Sequence, residues 1–385
     1  MKIGVLKETR IGERRVALVP ESCKKLIQAG YGISIEKSAG EAAFYLDDDY
    51  LKVGCTVEQD PRAITRSSDL VFKVNAPEIT ASRNEIEFLK QETVLLASLM
   101  PLRYLNIVRE LATHKISAFS TDTIPRTTRA QSMDTLSSMA NISGYKGVLM
   151  AANELPKYFP MFMTAAGTVF PAKVFVIGAA VAGLQAIATA RRLGANVTAT
   201  DVRPEVKEQI ESLGAKYVGI ELKESASAGG GYAKELSQED KLKQRELLAQ
   251  QCAAVDIVIT TALIGGVFAP KLITVEIVSS MRSGSIIVDL GAEGGGNCEL
   301  SKPGETIVTK NGVKIIAPLN LPSTMSTHAS LLFSRNLTSF VLAFTKDKAF
   351  QLDLSDDIQK GSLITHQGEV VNSRVKEALA KSGGA

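Results

Sequence analysis

Between Lys173 and Arg203 four apolar residues, Val174-Phe175-Val176-Ile177, run without a break into Gly178-Ala179-Ala180-Val181-Ala182-Gly183 and then into LQAIATARRLG. Such a run reads as a strand covered on both faces, the pattern of a parallel sheet under helices. Gly178 permits the tight turn after the strand, and Gly183 permits close helix–strand packing. The first N–H groups of the helix have no intrahelical acceptor and so form an anion site. A second strand, Val197–Thr200, leads to Asp201, about 20 residues beyond the turn, where a carboxylate accepts hydrogen bonds from both adenosine ribose hydroxyls and repels a 2′-phosphate. The segment is therefore expected to bind a dinucleotide, NAD(H) in preference to NADP(H), through Gly178, Ala180, Val181, Ala182, Gly183, Asp201, Val202 and Arg203. Two residues qualify that expectation. Arg203 stands where an arginine can accommodate a 2′-phosphate, and Ala180 replaces the middle glycine of G-x-G-x-x-G, which lets the backbone approach the pyrophosphate. Its methyl group is expected to weaken NADH binding by ~1 kcal/mol without abolishing it.

A chain of 385 residues exceeds one ordinary core and suits two domains of roughly 150 to 200 residues each. With 44 basic against 41 acidic residues the charge is nearly balanced, which argues against a nucleic-acid partner. Cys23, Cys55, Cys252 and Cys298 form no C-x-x-C pair, so no metal site and no disulfide framework is expected, only buried reduced thiols. No apolar run approaches the ~20 residues that span a bilayer, and the strand-like MKIGVLK start differs from a signal peptide. The expected location is cytoplasmic, without direct membrane insertion. Strand-like runs alternate with amphipathic segments throughout, which predicts an α/β fold of two Rossmann-like, doubly wound parallel-sheet domains separated by a cleft. The final helix-like stretch, Ala329–Phe344, is expected to return to the first domain. That domain would then be discontinuous, 1–130 and 320–385, around an NAD(H)-binding domain of 131–319.

Further segments are read for organisation. Ala130–Leu155 has helical spacing despite Gly144 and Gly147. Ser225–Gly231 follows a strand of the dinucleotide domain and reads equally as a flap over the cofactor or as a linker. In the polar run Lys234–Gln251, Leu236, Leu242 and Leu248 are expected on the packed side. Gly291–Asn297 follows a buried strand ending in Asp289, at the sheet edge where ligands gather.

Glu13-Arg14-Arg15-Val16-Ala17, Phe72-Lys73-Val74 and Ala165-Ala166-Gly167 resemble the alanine dehydrogenase and nicotinamide nucleotide transhydrogenase superfamily. The stretches Pro125–Ser138, Gly230–Glu235 and Gly294–Cys298 resemble its transhydrogenase branch, in the arrangement where the NAD(H)-binding first component is a separate soluble subunit. The resemblance implies a homodimer peripheral to the inner membrane. It would dock on the NADP(H)-binding and membrane components of a proton-translocating complex and pass hydride from NADH to NADP⁺ held by that partner. It also implies that Arg126, Gln131 and Asp134 form the loop beside the nicotinamide and carry the chemistry, with Gln131 reaching the partner's nucleotide. Ser137 and Ser138 would contact nicotinamide or ribose, and Tyr232 would close over the adenosine. From spacing alone Arg126 and Asp134 read as an ion pair at a helix N-terminus, the two serines as ordinary helix residues, and Leu263 as core or as an adenine wall. The family's T-A-L-I-P-G turn is Thr261-Ala262-Leu263-Ile264-Gly265-Gly266 here, and losing the proline frees that backbone.

Alanine dehydrogenase is the nearest alternative. Oxidising an amino acid needs a lysine and a histidine for acid–base work; by the resemblance those positions fall on Asn75 and on or near Met100. The only histidines, His114, His328 and His366, lie elsewhere. Hydride transfer between two nicotinamides needs alignment rather than a protein acid or base. A third possibility is a non-catalytic, nucleotide-binding regulatory subunit.

Overall fold

The computed structural model describes residues 1–80, 84–220, 237–263 and 268–382, with the backbone of 227–228 and 232–233. The chain folds as two units, Met1–Met139 with Pro322–Ala385, and Ala140–Leu321.

The first unit is built on an eight-stranded sheet. Its order is Glu369–Val370, Leu363–His366, Ser117–Ser120, Val94–Ser98, Leu70–Asn75, Lys2–Val5, Gly32–Glu36 and Thr56–Glu58. The last six are mutually parallel and the first two join antiparallel at one edge. The order reverses between Leu70–Asn75 and Lys2–Val5, which makes the carboxyl ends of those strands the switch point of a doubly wound sheet. Alternate residues of Leu70–Asn75 divide between the two faces: Phe72 and Val74 pack with Phe333, Leu337 and Phe340 of the helix Ser326–Ala343, while Val71 packs with Ile107, Val108 and Leu111 on the other side.

The second unit carries a seven-stranded sheet in the order Lys216–Tyr217, Asn196–Thr200, Lys173–Ile177, Ile257–Thr260, Ile286–Asp289, Lys314–Ile316 and Thr306–Val308. All pairings are parallel except the last. Val174 and Val176 face Ala186, Ile187 and Ala190 of the helix Val181–Arg192, whereas Phe175 and Ile177 face Leu248, Cys252 and Ile277. Burial on both faces is why the strand is apolar at successive positions rather than at alternate ones. The order reverses between Lys173–Ile177 and Ile257–Thr260, placing the Gly178 turn at this sheet's own switch point.

The Ala130–Leu155 segment forms a short turn of 3-10 helix, Gln131–Met133, followed by the helix Thr135–Glu154. The helix starts late because Asp134 caps it, its Oδ1 accepting from Ser137 N at 2.8 Å. In the helix Gln238–Ala254, Leu248 is buried but Leu242 is 62% exposed; Leu236 lies outside the described residues. The three-leucine spacing overreached there, because six residues fall short of two full helical turns and rotate Leu242 off the packed stripe. All four cysteines are buried and free.

Candidate functional site

The turn that follows Lys173–Ile177 is fixed by contacts that leave no room for side chains. Gly178 has φ +89°, and a Cβ there would stand 2.7 Å from Thr261 Oγ1. That hydroxyl donates to the Gly178 carbonyl at 2.9 Å. A Cβ at Gly183 would meet the Gly178 carbonyl oxygen at 1.9 Å. Packing from the neighbouring helix is equally tight, since a Cβ on Gly144 would lie 2.1 Å from the Ala182 carbonyl oxygen. The two glycines that weaken the Thr135–Glu154 helix thus have a packing role: Gly144 touches backbone, Gly147 only the Leu290 side chain. Ala180 occupies the helix N-cap with φ −77° and ψ −167°, an extended conformation that any residue adopts, and it is exposed. It offers no side-chain acceptor to the free N–H groups of Val181, Ala182 and Gly183, which are left for an anion.

Asp201 reaches back under this turn. Its Oδ2 accepts from Ala179 N at 2.8 Å, and its Oδ1 accepts from Arg203 N at 2.9 Å. The Arg203 guanidinium adds a fork, Nε to Oδ1 at 2.9 Å and Nη2 to Oδ2 at 2.8 Å. Across the switch point Leu263 is half-buried, neither core nor surface. The segment leading to it is clamped by Asn297, whose Oδ1 accepts from Ala262 N at 3.1 Å while Nδ2 donates to the Ala262 and Pro270 carbonyls, both at 2.9 Å. The glycine-rich loop is in turn organised by the fully buried Asp289, which accepts from Thr260 Oγ1, Gly291 N, Cys298 N and Ser301 Oγ. The sequence places Asp289 at the strand end and Asn297 in a motif without revealing either role. The signal was an acid and an amide beside a run of glycines. Ser225–Gly231 apart from the backbone of Ser227 and Ala228, the side chain of Tyr232, and Gly265 with Gly266 lie outside the described residues.

The loop of the first unit has its own geometry. Arg126 Nε lies 4.0 Å from Asp134 Oδ2, a loose ion pair, while Asp134 is held closely by Ser137, whose hydroxyl donates to Oδ2 at 2.6 Å. Ser138 N donates to the Asp134 carbonyl at 3.3 Å. Gln131 is exposed at the start of the 3-10 turn. The returning C-terminal segment anchors this loop: Asn336 Nδ2 donates to the Ser132 carbonyl at 2.8 Å, and Arg129 pairs with Asp356. Asn336 gave no sequence signal, because it acts from 204 residues away.

At the switch point of the first sheet the chain fills the crevice with its own charges. Buried Lys73 lies 3.5 Å from Glu8 and 3.2 Å from Glu85. Asn75 Nδ2 donates to Glu8 Oε2 at 3.1 Å and to Glu13 Oε2 at 2.9 Å, and Arg15 forks onto Glu13. Asn75 therefore bridges two carboxylates with an amide that cannot titrate. Met100 contributes its backbone N to Asp122 at 3.2 Å. Burial alone would push the Glu13 carboxyl up; the hydrogen bonds and charge of Arg15, with the Asn75 amide, outweigh it and bring the pKa to about 2 from 4.5. A depressed carboxyl stabilises the fold above its unfolded pKa, and that stability is lost as pH falls through the folded value. Urea midpoints measured from neutral pH downward should therefore fall between pH 4.5 and about 2, and Glu13→Gln should flatten the fall. An equal decline in the variant would rule Glu13 out as its source.

Comparison with known proteins bears on the whole chain. Residues 4–143 match the model of the alanine dehydrogenase/PNT N-terminal domain and residues 147–373 that of the alanine dehydrogenase/PNT C-terminal domain. The chain is 46% identical over 378 residues to an NAD(P) transhydrogenase subunit alpha of Rhodospirillum rubrum, in its separate first-half form, covering 97% of this chain and 98% of that one. The crystal structure of transhydrogenase from Sinorhizobium meliloti superposes with a TM-score of 0.87 at 41% identity, covering 96% of this chain and 100% of that one. Alanine dehydrogenase of Halomonas elongata is more distant, 28% identical over 386 residues, 98% of this chain and 97% of that one.

Proposed function

Since the chain belongs to the alanine dehydrogenase/PNT family, we propose that it is the NAD(H)-binding subunit of a proton-translocating transhydrogenase, active in hydride transfer only with its partner components. The observation that carries this reading is the 46% identity over nearly the full length of a transhydrogenase subunit, against 28% for an alanine dehydrogenase. The amide of Asn75 and the thioether of Met100 support it, since neither can serve the proton transfers of amino-acid oxidation. The turn fits a dinucleotide: Gly178 and Gly183 leave a cradle that a Cβ would fill, and the helix Val181–Arg192 opens onto it. Val181, Ala182 and Gly183 would hold the pyrophosphate, Asp201 with Val202 and Arg203 the ribose, and Leu263 the adenine. Tyr232 would close over the adenosine. When bound, NADH supplies the hydride, and the acceptor NADP⁺ is held by the partner. Arg126 and Asp134 orient the carboxamide and ribose by charge-assisted hydrogen bonds, Ser137 and Ser138 line the same end, and Gln131 reaches the partner's nucleotide. With no acid or base required, what these residues supply is alignment and exclusion of water.

No helix among the described residues is long and apolar enough to cross a membrane, so association with the membrane would run through the partner components. A homodimer is proposed on the hairpin Phe162–Thr164 and Gly167–Val169, where Met163 is 81% and the adjoining Phe170 79% exposed. Apolar side chains of that size on a two-stranded arm favour burial against a second copy.

Equilibrium titration with NADH and NADPH tests the nucleotide site. Tighter binding of NADH is expected, and no binding at millimolar NADH would sink the reading. Ala180→Gly should tighten NADH binding about fivefold, equivalent to ~1 kcal/mol. Unchanged or weaker binding would mean that the turn already fits the methyl group, consistent with its ordinary φ and ψ.

A further inference from the structure

The carboxylate assigned to the ribose hydroxyls is already fully engaged. An ionised carboxylate offers about four acceptor positions. In Asp201 all four are taken: Ala179 N and Arg203 Nη2 on Oδ2, Arg203 N and Arg203 Nε on Oδ1. The side chains of Arg203 and Asp201 are 10% and 6% exposed. Two of the four donors are backbone amides held by the turn and cannot leave without unfolding it. The other two belong to one guanidinium and can leave together by side-chain rotation. A second carboxylate waits for that guanidinium, since Glu205 is exposed, two residues on, and adds to the attraction on the Arg203 charge.

We propose that Arg203 is an internal occupant of the ribose subsite, forked onto Asp201 while the site is empty and transferred toward Glu205 when the adenosine hydroxyls take its place. The inference rests on the reading of Asp201 as the ribose acceptor. Two consequences follow. Binding of NADH must break a bidentate, charge-assisted pair, so its affinity is lower than the contacts alone would give. While forked, Arg203 also cancels the carboxylate's charge, so discrimination against a 2′-phosphate develops only as the arginine departs. The motif in which an arginine accompanies the ribose acid thus tunes both affinity and cofactor choice.

The test is a fluorescence titration of NADH, of NADPH and of an NADH analogue lacking the adenosine 2′-hydroxyl, on the intact chain and on Arg203→Ala, Arg203→Lys and Glu205→Gln. Arg203→Ala should bind NADH about tenfold more tightly and widen the preference for NADH over NADPH. The 2′-deoxy analogue should gain less, a difference that a general change in folding would not produce. Arg203→Lys, which keeps the charge and loses the fork, should gain partway, and Glu205→Gln should bind NADH about threefold more weakly. NADH binding by Arg203→Ala that is equal to or weaker than the parent's, with an unchanged melting temperature, would overturn the inference. Should that variant prove unstable, Arg203→Lys decides: tighter binding supports the displacement, equal or weaker binding overturns it. If the parent chain binds no NADH, the nucleotide reading itself fails, a result distinct from either.

Discussion

Replacing Gly144 by alanine is expected to destabilise the second unit by about 3 kcal/mol and to weaken NADH binding with it. The added Cβ would lie 2.1 Å from the Ala182 carbonyl oxygen, 2.9 Å from its carbon and 3.1 Å from its Cα. All three are backbone atoms, so the two helices must move apart and carry the phosphate turn with them. Gly147→Ala is the internal control. It sits less than one turn further along the same helix, and its Cβ would meet only the Leu290 side chain at 3.0 Å, which can rotate. Both substitutions gain the same helix propensity of about 1 kcal/mol. Thermal melts and NADH titrations should therefore separate them, with Gly147→Ala close to the parent. Equal behaviour of the two would refute the close approach of Gly144 to the turn.

Asp289→Asn is expected to cost a further large amount, about 3 kcal/mol, because it leaves a buried backbone donor opposed by another donor. Whichever way the new amide is turned, its NH₂ meets the N–H of either Gly291 or Cys298, both of which now donate to the carboxylate at 3.1 and 3.0 Å. The hydroxyls of Thr260 and Ser301 can reorient; these amides cannot. Since Asn297 hangs from the same loop and clamps Ala262, the loss should reach the wall at Leu263 and appear as faster hydrogen exchange at Gly291 and Cys298 together with weaker NADH binding. A variant within 1 kcal/mol of the parent, roughly the scale of an ordinary surface change, would show that the loop does not depend on the carboxylate.

The dinucleotide unit was legible in the sequence because each of its components is local. A strand buried on both faces is apolar at every position, and Gly178 and Gly183 stand where a Cβ collides with backbone or a fixed hydroxyl. The first sheet was legible for the same reason, as short β-branched runs between amphipathic helices. What escaped depends on contacts between distant residues. Asn297 bonding Ala262 across 35 positions and Asn336 bonding Ser132 across 204 leave no periodic trace. Neither does the filling of the first switch point, where Asn75 gains its meaning only from the flanking Glu8 and Glu13. Leu242 failed for an angular reason: a polar helix with few leucines has too weak a stripe to fix its phase. At Arg203 the spacing alone admitted two readings, and only the fork onto Asp201 shows how both can belong to one residue.

Hydride transfer measured in reconstitution tests the proposed function most directly. The intact chain is mixed with a membrane-embedded NADP(H)-binding transhydrogenase component, NADH, and an NADP⁺ analogue whose reduced form absorbs apart from NADH. The expected result is no reaction with either protein alone, reduction of the analogue by NADH when both are present, and its loss with Gln131→Ala despite unchanged NADH binding. Oxidation of NADH by this chain alone on addition of pyruvate and ammonia, or persistent inactivity of the mixture with NADH demonstrably bound, would contradict it.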